Sequence, residues 1–281
     1  MAKSQSLSDE CHSGTRRPAM KPTCAVIPAG GKGTRLYPLT YAVPKELLPL
    51  GPVPTIQHVV EELVTAGIDD IIVVTGAGKR AVEDHLDELA RRGETPARFA
   101  YVSQKQQMGL GDAVNAAAGA VGDRAFVVAL GDGIIAAPTQ ASLLLRMLAM
   151  YEREDARAVV AAQQVPQADI PRYGVFAPGE NCRDGFSVVD LIEKPPIERA
   201  PSNMAVCARY VFHPTIFDYL ARQAPGTGGE IQLTDAIAAM ARDGGGVYAC
   251  PLAPDECRLD VGNLKSYYDA IGRMLGGGAR P

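Results

Sequence analysis

Short apolar segments alternate with amphipathic helical patterns over the first half of the chain, and this alternation is the strongest constraint on its fold. The apolar segments indicate β-strands at residues 24–28, 71–75, 99–102 and 125–130. The patterns between them place apolar residues on one helical face and indicate helices at residues 55–66, 81–91 and 112–120. Strands joined by helices pair in parallel through right-handed crossovers. The sequence therefore predicts an α/β fold with a Rossmann-like sheet flanked by helices.

The pattern changes after Tyr151, where strands follow one another with fewer helices between them. Further strands are predicted at residues 158–164, 174–176, 187–193, 205–212 and 246–251. Further helices are predicted at residues 215–222, 233–242 and 263–275. This order predicts a mixed extension of the same, mostly parallel sheet. Because no repeat or long linker divides the chain, we expect one domain at residues 23–276, between a disordered N-terminal tail (1–22) and a short C-terminal tail (277–281).

Composition argues against several classes of protein. The formal net charge of −4 disfavours a general nucleic-acid binder, which usually carries a basic surplus. No segment has the length and apolarity of a membrane span, and residues 1–22 lack the apolar region of a signal peptide. The six cysteines are scattered without a C-x-x-C pair, so we expect reduced thiols, burial of Cys24 and Cys207, and a cytoplasmic location. The histidines, at positions 12, 58, 85 and 213, are predicted to be tail, helix-surface and turn residues rather than ligands.

A glycine-rich turn follows the first predicted strand, in the sequence VIPAGGKGTRLYPLTYAVPKELLPL at residues 26–50. Such a turn lies at the carboxyl end of the strands, where open α/β sheets bind ligands, and its N–H groups can face phosphate oxygens. It differs from a dinucleotide-binding loop because Leu36 occupies the third glycine position. It also differs from a Walker A loop, because Gly33 follows Lys32.

The prolines at positions 38 and 44 are expected to keep the chain extended after the turn, so that Arg35 and Lys45 reach back across a ligand. Arg35 suits bidentate phosphate contact and Lys45 supplies a point charge. A short G-x-G turn alone is equally well explained as a surface loop with incidental cations. The turn by itself therefore leaves both interpretations open.

The complete string GKGTRLYPLTYAVPKELLP resembles the pattern of the sugar-1-phosphate nucleotidyltransferases, G-x-G-T-R followed after about ten residues by P-K-x-[LM]-[LV]-P. The resemblance covers nearly the whole chain and implies a sugar-binding extension of the nucleotide-facing sheet. The nucleotide contacts that it implies in the turn are Ala29, Gly30, Gly33, Thr34 and Arg35. Arg35 and Lys45 would act in catalysis by holding the triphosphate.

Two further motifs resemble the base and metal sites of that family. In SQKQQMGLGDAV, Gln104 and Gly109 match the pair that reads the edge of the base. In VVALGDG and RLDVGN, Asp132 and Asp260 match the aspartates that hold Mg²⁺, and the resemblance makes Asp132 a catalytic residue as well. Each has an ordinary alternative, since Gln104 could be an exposed polar residue and either aspartate a turn residue or a helix cap.

The second half resembles the sugar-phosphate end of the family, and specifically the bacterial UTP–glucose-1-phosphate uridylyltransferases. By this resemblance, Tyr173 and Gly174 in RYGVF and Val206 in APSNMAVCARYVF would contact the sugar. In LIEKPP, Glu193 would accept hydrogen bonds from sugar hydroxyls, and Lys194 would act in catalysis by neutralising the sugar phosphate. The ordinary alternative for Glu193 and Lys194 is a solvated pair at a strand end.

The match to the uridylyltransferases is incomplete at three places. Asp112 stands where they usually carry His in G-L-G-H-A, and Gly131 stands where Pro usually precedes the strand-end aspartate. GTRLYPLT is nearer the thymidylyltransferase version of the turn. The motif GEIQLTDAI, in contrast, does match the uridylyltransferases, and it is expected mainly to begin and pack a helix. Nucleotide choice is therefore less firmly indicated than the type of reaction.

The resemblance implies a Mg²⁺-dependent reaction between UTP and a hexose 1-phosphate, in the first place glucose 1-phosphate. An oxygen of the sugar phosphate would attack the α-phosphorus in line and pyrophosphate would leave, without a general base or a covalent intermediate. Alternatives are another substrate pair, such as dTTP with a different sugar phosphate, and a silent nucleotide-sugar sensor. A dinucleotide-dependent oxidoreductase is disfavoured by Leu36. By analogy with the family, we expect a homo-oligomer, a dimer or tetramer.

Overall fold

A nine-stranded sheet forms the centre of the computed structural model, which describes residues 20–76 and 79–275. From one edge to the other, its strands are β5 (Arg98–Ser103), β4 (Asp70–Thr75), β1 (Cys24–Pro28), β6 (Phe126–Ala129), β11 (Met204–Phe212), β8 (Ala158–Gln164), β12 (Val247–Pro251), β10 (Gly185–Glu193) and β9 (Gly174–Cys182). The first half of the chain thus supplies one side of the sheet and the second half the other. The predicted tails, apart from residues 20–22, and residue 276 lie outside the described residues.

Of the nine strands in the described part of the chain, β11 and β10 run against the other seven. The four strands of the first half are mutually parallel, and Ala25 on β1 stands opposite Ile71 on β4 and Val127 on β6. In the second half, β12 is parallel to β8. The α/β class, the mostly parallel sheet and its mixed extension are therefore confirmed.

Helices cover both faces of the sheet, because the side chains of each strand alternate between its faces. On β1, Ala25 and Ile27 pack into one buried cluster, whereas Cys24 and Val26 pack into another. The helices that close the first cluster are α1 (Thr55–Thr65), α2 (Arg80–Arg91) and α5 (Ser142–Arg153). Those that close the second are α3 (Leu110–Ala116), α4 (Ala118–Val121), α6 (Ile216–Arg222) and α7 (Leu233–Arg242). Among the described residues, no helix combines the length and apolarity needed to span a lipid bilayer.

A two-stranded sheet that the sequence did not predict follows the carboxyl end of β6. It pairs β7 (Gly133–Ala136) with β13 (Cys257–Asp260) in antiparallel register. The last helix, α8 (Leu264–Leu275), packs against this sheet and against β2 (Pro49–Leu50), which pairs with β3 (Val53–Pro54). The β7–β13 sheet therefore joins the end of the chain to the centre of the molecule.

The prediction of an extended segment after the glycine turn was wrong. This segment forms two 3₁₀ helices, Thr34–Leu36 and Lys45–Leu47, with hydrogen-bonded turns between them. Leu39 N–H donates to Leu36 O at 3.0 Å, and Tyr41 N–H donates to Pro38 O at 3.1 Å. Proline permits this arrangement because its fixed φ suits tight turns as well as extended chain.

One histidine also differs from its prediction. His58 was expected on a helix surface but is only 5% exposed, and its Nε2 lies 2.7 Å from Leu50 O. It is buried because α1 follows β3 directly and packs beside it. The burial of Cys24 and Cys207 is confirmed, and all five cysteines in the described residues are free thiols.

Candidate active site

The glycine turn brings three parts of the chain into contact at the carboxyl end of β1. Ala29 N–H donates to Val74 O at 2.8 Å and continues the β1–β4 pairing into the turn. A Cβ atom on Gly30 would lie 2.7 Å from Gln104 Oε1 and 3.4 Å from Gly76 N. Any side chain at position 30 would therefore displace Gln104 or the neighbouring backbone.

The end of the glycine turn carries Arg35, a cation that is exposed to solvent. Gly33 has a φ of 66°, and Thr40 Oγ1 donates to its carbonyl oxygen at 2.8 Å. Thr34 and Arg35 follow with exposed side chains. In the described part of the chain, no hydrogen bond or ion pair engages the Arg35 guanidinium, which is near enough to Lys45 for their charges to interact. Arg35 is therefore available to an anion bound in the turn.

Lys45 connects the glycine turn to Asp132. Its Nζ lies 2.5 Å from Asp132 Oδ2, and the two side chains are 18% and 17% exposed. A Cβ atom on Gly31 would lie 3.4 Å from the same Nζ. Burial opposes both charges, but the attraction and hydrogen bond between them outweigh it, so the pKa of Asp132 is lowered and the pKa of Lys45 is raised. Both groups are charged at neutral pH and partly open to a ligand.

A second ion pair lies behind Lys45 and is more deeply buried. Lys79 Nζ donates to Glu46 Oε2 at 2.8 Å, and both residues are buried. Burial raises the pKa of Glu46, although the charges of Lys45 and Lys79 oppose this rise. Glu46 Oε1 has no hydrogen-bond partner within the described residues. The pair joins the segment that carries Lys45 to the start of α2.

The β7–β13 sheet puts Asp260 next to Asp132. Asp260 stands opposite Gly133 in the strand register, and Val261 N–H donates to Asp132 O at 2.9 Å. Asp260 Oδ2 accepts a hydrogen bond from Ser266 Oγ at 3.2 Å. The two aspartates, which are 128 positions apart in the sequence, therefore have neighbouring backbones.

Arg258 connects this acidic region to the predicted sugar site. Its Nη2 donates a close hydrogen bond to Asp260 Oδ1. Its guanidinium carbon lies 5.9 Å from the centroid of the Tyr173 ring, within cation–π range. Arg258 Nε is buried without a partner in the described residues. Each aspartate thus has its own cation, Lys45 on Asp132 and Arg258 on Asp260.

Gln104 and Gly109 meet beside the glycine turn. Gln104 is only 6% exposed. Its Nε2 donates to Asp112 Oδ2 at 2.6 Å and, more weakly, to Gly109 O at 3.4 Å. Because Gln104 Oε1 lies against Gly30, one side chain contacts both glycine-containing segments.

A segment from the second half holds the Gly109 loop in place. Gly109 has a φ of 103°, and a Cβ atom there would lie 2.8 Å from Ile231 O. Gly111 N–H donates to the same carbonyl oxygen at 2.9 Å, and Ile231 N–H donates to Met108 O at 2.6 Å. The GEIQLTDAI motif thus supports the Gly109 loop, in addition to beginning α7 as expected.

The predicted sugar-phosphate residues lie together where β9, β10 and β11 meet. Gly174 stands opposite Glu193 in the register. A Cβ atom on Gly174 would lie 3.2 Å from Glu193 Oε2 and 3.3 Å from Val206 Cγ2. Lys194 N–H donates to Tyr173 O at 3.0 Å. All five residues therefore border one small region.

Glu193 is held by two neighbours within this region. Its Oε2 accepts a hydrogen bond from Thr234 Oγ1 at 2.8 Å, and its Oε1 lies 2.9 Å from Lys194 Nζ. The Glu193 side chain is 11% exposed and that of Lys194 is 44% exposed. Lys194 has a φ of 46°, an uncommon conformation for a residue with a side chain. Glu193 is fixed in position, whereas the Lys194 ammonium group remains accessible.

Some predicted partners are not in direct contact. Within the described residues, neither Arg35 nor Lys194 forms a hydrogen bond or ion pair with Asp132 or Asp260. The same part of the chain contains no cluster of three or more His, Cys, Asp or Glu side chains suited to a metal ion. Arg35, at the end of the glycine turn, and Lys194, in the sugar-phosphate region, are therefore not bonded to either aspartate.

A comparison with known protein families places this arrangement in context. The chain matches the nucleotidyl transferase family over residues 24–275, which include every predicted site residue. The chain belongs to this family.

Several individual proteins resemble this nucleotidyl transferase. UTP–glucose-1-phosphate uridylyltransferase 1 of Staphylococcus saprophyticus is 46% identical over 236 residues, which are 78% of this chain and 81% of the relative. UTP–glucose-1-phosphate uridylyltransferase of Bacillus subtilis is 45% identical over 231 residues, which are 76% of this chain and 78% of the relative. A crystal structure of UDP-glucose pyrophosphorylase complexed with UDP-glucose has 32% identity and a TM-score of 0.84, and covers 91% of this chain and 99% of that one.

The candidate site includes residues that sequence reasoning missed. Arg258 stands two positions before Asp260, a spacing that puts both side chains on one face of a strand and could have identified it. Thr234 lies in the GEIQLTDAI motif, which was expected mainly to begin and pack a helix, so its contact with Glu193 was not predicted. The Lys79–Glu46 pair joins residues 33 positions apart, and no local signal announces it.

Proposed function

We propose that this nucleotidyl transferase forms UDP-glucose and pyrophosphate from UTP and glucose 1-phosphate. The observation that carries the proposal is a continuous set of contacts from the glycine turn to the sugar-phosphate region. Its members, in order, are Gly31, Lys45, Asp132, Val261 with the preceding Asp260, Arg258 and Tyr173. The 46% identity to a protein named UTP–glucose-1-phosphate uridylyltransferase supports this choice of substrates.

The reaction transfers a nucleotidyl group between two phosphates. A bond forms between an oxygen of the sugar phosphate and the α-phosphorus of UTP, while the bond from that phosphorus to the pyrophosphate oxygen breaks. The attacking oxygen is already anionic, so no proton has to be removed. Catalysis depends on bringing two anions together in line and on stabilising the charge that develops on pyrophosphate.

At the nucleotide end, backbone N–H groups of the turn from Gly30 to Thr34 would face the phosphates, and Ala29, whose own N–H is bonded to Val74 O, would border them. Arg35, which has no partner in the described residues, would bind the triphosphate through its guanidinium. Lys45 would add a positive charge beside the α-phosphate. Gln104 and Gly109 would bind the edge of the base.

At the sugar end, Glu193 would accept hydrogen bonds from glucose hydroxyls, with Tyr173, Gly174 and Val206 shaping the space around the ring. Lys194 would bind the sugar phosphate, since its ammonium group is accessible and its present partner lies next to it in the sequence. In binding the phosphate, Lys194 would reduce the repulsion between the two substrates.

Asp132 and Asp260 fit Mg²⁺ as donors. Both offer hard carboxylate oxygens, Asp132 from the turn before β7 and Asp260 from the end of β13, and a cation now balances each of them. Two carboxylates leave most of the coordination positions to phosphate oxygens and water, as Mg²⁺ prefers. When bound, the ion would neutralise phosphate charge and help to orient UTP.

The proposal extends to the organisation of the protein. Residues 23–276 would form one catalytic domain, which the sheet shared by both halves supports. The free cysteines in the described residues agree with a reducing compartment such as the cytoplasm. We also propose that the protein is a dimer or a tetramer, and light scattering of the purified protein would measure its mass in solution.

Pyrophosphate release tests the proposal. The full chain would be assayed with glucose 1-phosphate and each of UTP, dTTP, CTP, ATP and GTP, with Mg²⁺ and with a chelator. We expect UTP to react fastest and the chelator to stop the reaction. Faster turnover of dTTP than of UTP would show that dTTP is the substrate. Nucleotide-sugar binding without pyrophosphate release would indicate a sensor instead of an enzyme. Binding of NAD(P) without any release would favour an oxidoreductase.

A further inference from the structure

The Gln104 amide has different neighbours at its two ends. Asp112 Oδ2 lies 2.6 Å from one end, and Gly109 O lies 3.4 Å from the same end. The other end lies against Gly30, where an added Cβ atom would approach it to 2.7 Å. The backbone N–H of this buried residue donates to Thr75 O at 2.8 Å, so the side chain extends from a fixed point.

The chemistry of these neighbours determines which end of the amide is nitrogen. A carboxylate and a backbone carbonyl accept hydrogen bonds and cannot donate them. The end that faces both acceptors must therefore be Nε2, because the reversed amide would put Oε1 against them. Oε1 is turned toward Gly30 as a result, and no group within the described residues donates a hydrogen bond to it.

An open acceptor beside the glycine turn distinguishes the two common pyrimidines. Uracil carries an N–H donor at N3, whereas cytosine carries an acceptor at that position. We propose that Asp112 fixes the Gln104 amide in the orientation that accepts uracil N3–H and opposes cytosine N3, and so selects UTP over CTP. This inference rests on the proposed function, since it needs the base to lie against Gln104. Thymine shares the N3–H group, so Asp112 would not separate UTP from dTTP.

Asp112 is a positioning residue in this proposal, because it contacts Gln104 and would act on the base only through that amide. It lies in the first turn of α3 and is half-buried. In the described part of the chain its carboxylate has no Lys or Arg partner, and its hydrogen bond goes to Gln104. An ion pair between helices therefore does not explain the position of the Asp112 carboxylate.

The decisive variant is Asp112→Asn, which keeps the size of the side chain but can donate as well as accept hydrogen bonds. Gln104 can then adopt both amide orientations. We expect the ratio of kcat/KM for UTP to that for CTP to fall about tenfold or more. The ratio for UTP to dTTP should stay the same, because uracil and thymine present the same edge. Asp218→Asn is the matched control, since Asp218 is an exposed aspartate on α6, and it should change neither ratio.

A loss of activity shared equally by UTP, CTP and dTTP, with the UTP:CTP ratio unchanged, would overturn the proposal and leave Asp112 a purely structural role. Asp112→Ala, measured in the same way, replaces Asp112→Asn if the latter unfolds. Calorimetric binding of UTP and CTP to the wild type and variants separates this inference from the proposed function. Selective UTP binding that depends on Asp112, without pyrophosphate release, would sink only the proposed function. UDP-glucose synthesis with an unchanged ratio in both variants would sink only the role of Asp112.

Discussion

At the proposed nucleotide end, turns between parallel strands present backbone groups and an unpaired cation. At the proposed sugar end, the polar groups are side chains already bonded to one another. Gly30 and Gly33 follow β1 as backbone without side chains of their own, and Arg35 has no partner in the described residues. Glu193, in contrast, is bound by both Thr234 and Lys194. A polyanion can be held by N–H groups and mobile cations, but a neutral sugar ring requires acceptors that are fixed before it arrives.

The largest effect is expected at Asp132, which lies between the two ends. Asp132→Asn keeps the shape of the side chain but removes the charge that pairs with Lys45 and would bind Mg²⁺. We expect kcat to fall about 1000-fold or more, measured by pyrophosphate release across a Mg²⁺ titration. Asp255→Asn, at an exposed aspartate in the loop before β13, should retain normal activity. Wild-type turnover by Asp132→Asn would remove this residue from the metal site.

The next effect should be confined to the sugar end. Lys194→Ala removes a charge-assisted contact to the sugar phosphate, which costs about 2–4 kcal/mol of transition-state stabilisation, or about 30- to 1000-fold in kcat/KM for glucose 1-phosphate. The Kd for UTP should hardly change. Lys265→Ala, at an exposed lysine on α8, provides the control. An equal loss of UTP affinity in Lys194→Ala would contradict the separation of the two ends.

A matched pair of glycine variants compares the ends directly. In Gly30→Ala the new methyl group would meet Gln104 Oε1 at 2.7 Å, and in Gly174→Ala it would meet Thr234 Cγ2 at 2.6 Å. Each should raise the KM of its own substrate about tenfold, UTP for Gly30→Ala and glucose 1-phosphate for Gly174→Ala, through displacement of the neighbouring side chain. Steady-state kinetics with each substrate varied in turn measures both. If each variant raised the KM of both substrates equally, the two ends would not respond independently to substitution.

The smallest response is expected from the thiols beneath the two ends. Burial raises the pKa of Cys24 on β1 and of Cys207 on β11 to about 11. A thiol is protonated below its pKa, so at pH 8 neither should react with iodoacetamide in the folded protein, and reaction should accelerate only as the pH approaches 11 or after unfolding. Peptide mapping by mass spectrometry measures each thiol, with half-buried Cys182 and Cys257 as internal comparisons. Rapid modification of Cys207 but not of Cys24 would show that the sheet opens at β11 while β1 stays closed.

Local patterns predicted most of the sheet and the position of the glycine turn after β1. The strands β1, β4, β5 and β6 were found because short runs that are rich in Val and Ile or otherwise apolar alternate with helical periodicity. The glycine turn was assigned a role only because the complete string around it resembles a family pattern, since the turn alone left two interpretations open. The alternation of buried side chains on β1 between two clusters shows why the strand signal was strong.

What the sequence did not reveal depends on long-range pairing or on missing end signals. The pairing of β7 with β13, which brings Asp260 beside Asp132, joins segments more than 100 residues apart and has no local pattern. Helix α5 begins after Ala141, without a side-chain cap of the usual Ser, Thr, Asp or Asn type. The bond from Thr234 to Glu193 likewise appears only when α7 packs against β10.

During translation, the loop that contains Gly109 and Gly111 emerges from the ribosome long before Ile231, whose backbone groups it bonds. A nascent chain that already carries the complete glycine turn and Gln104 still lacks this support. We therefore expect the newly made first half to bind UTP more weakly than the complete chain does, because the Gly109 loop is not yet held by Ile231.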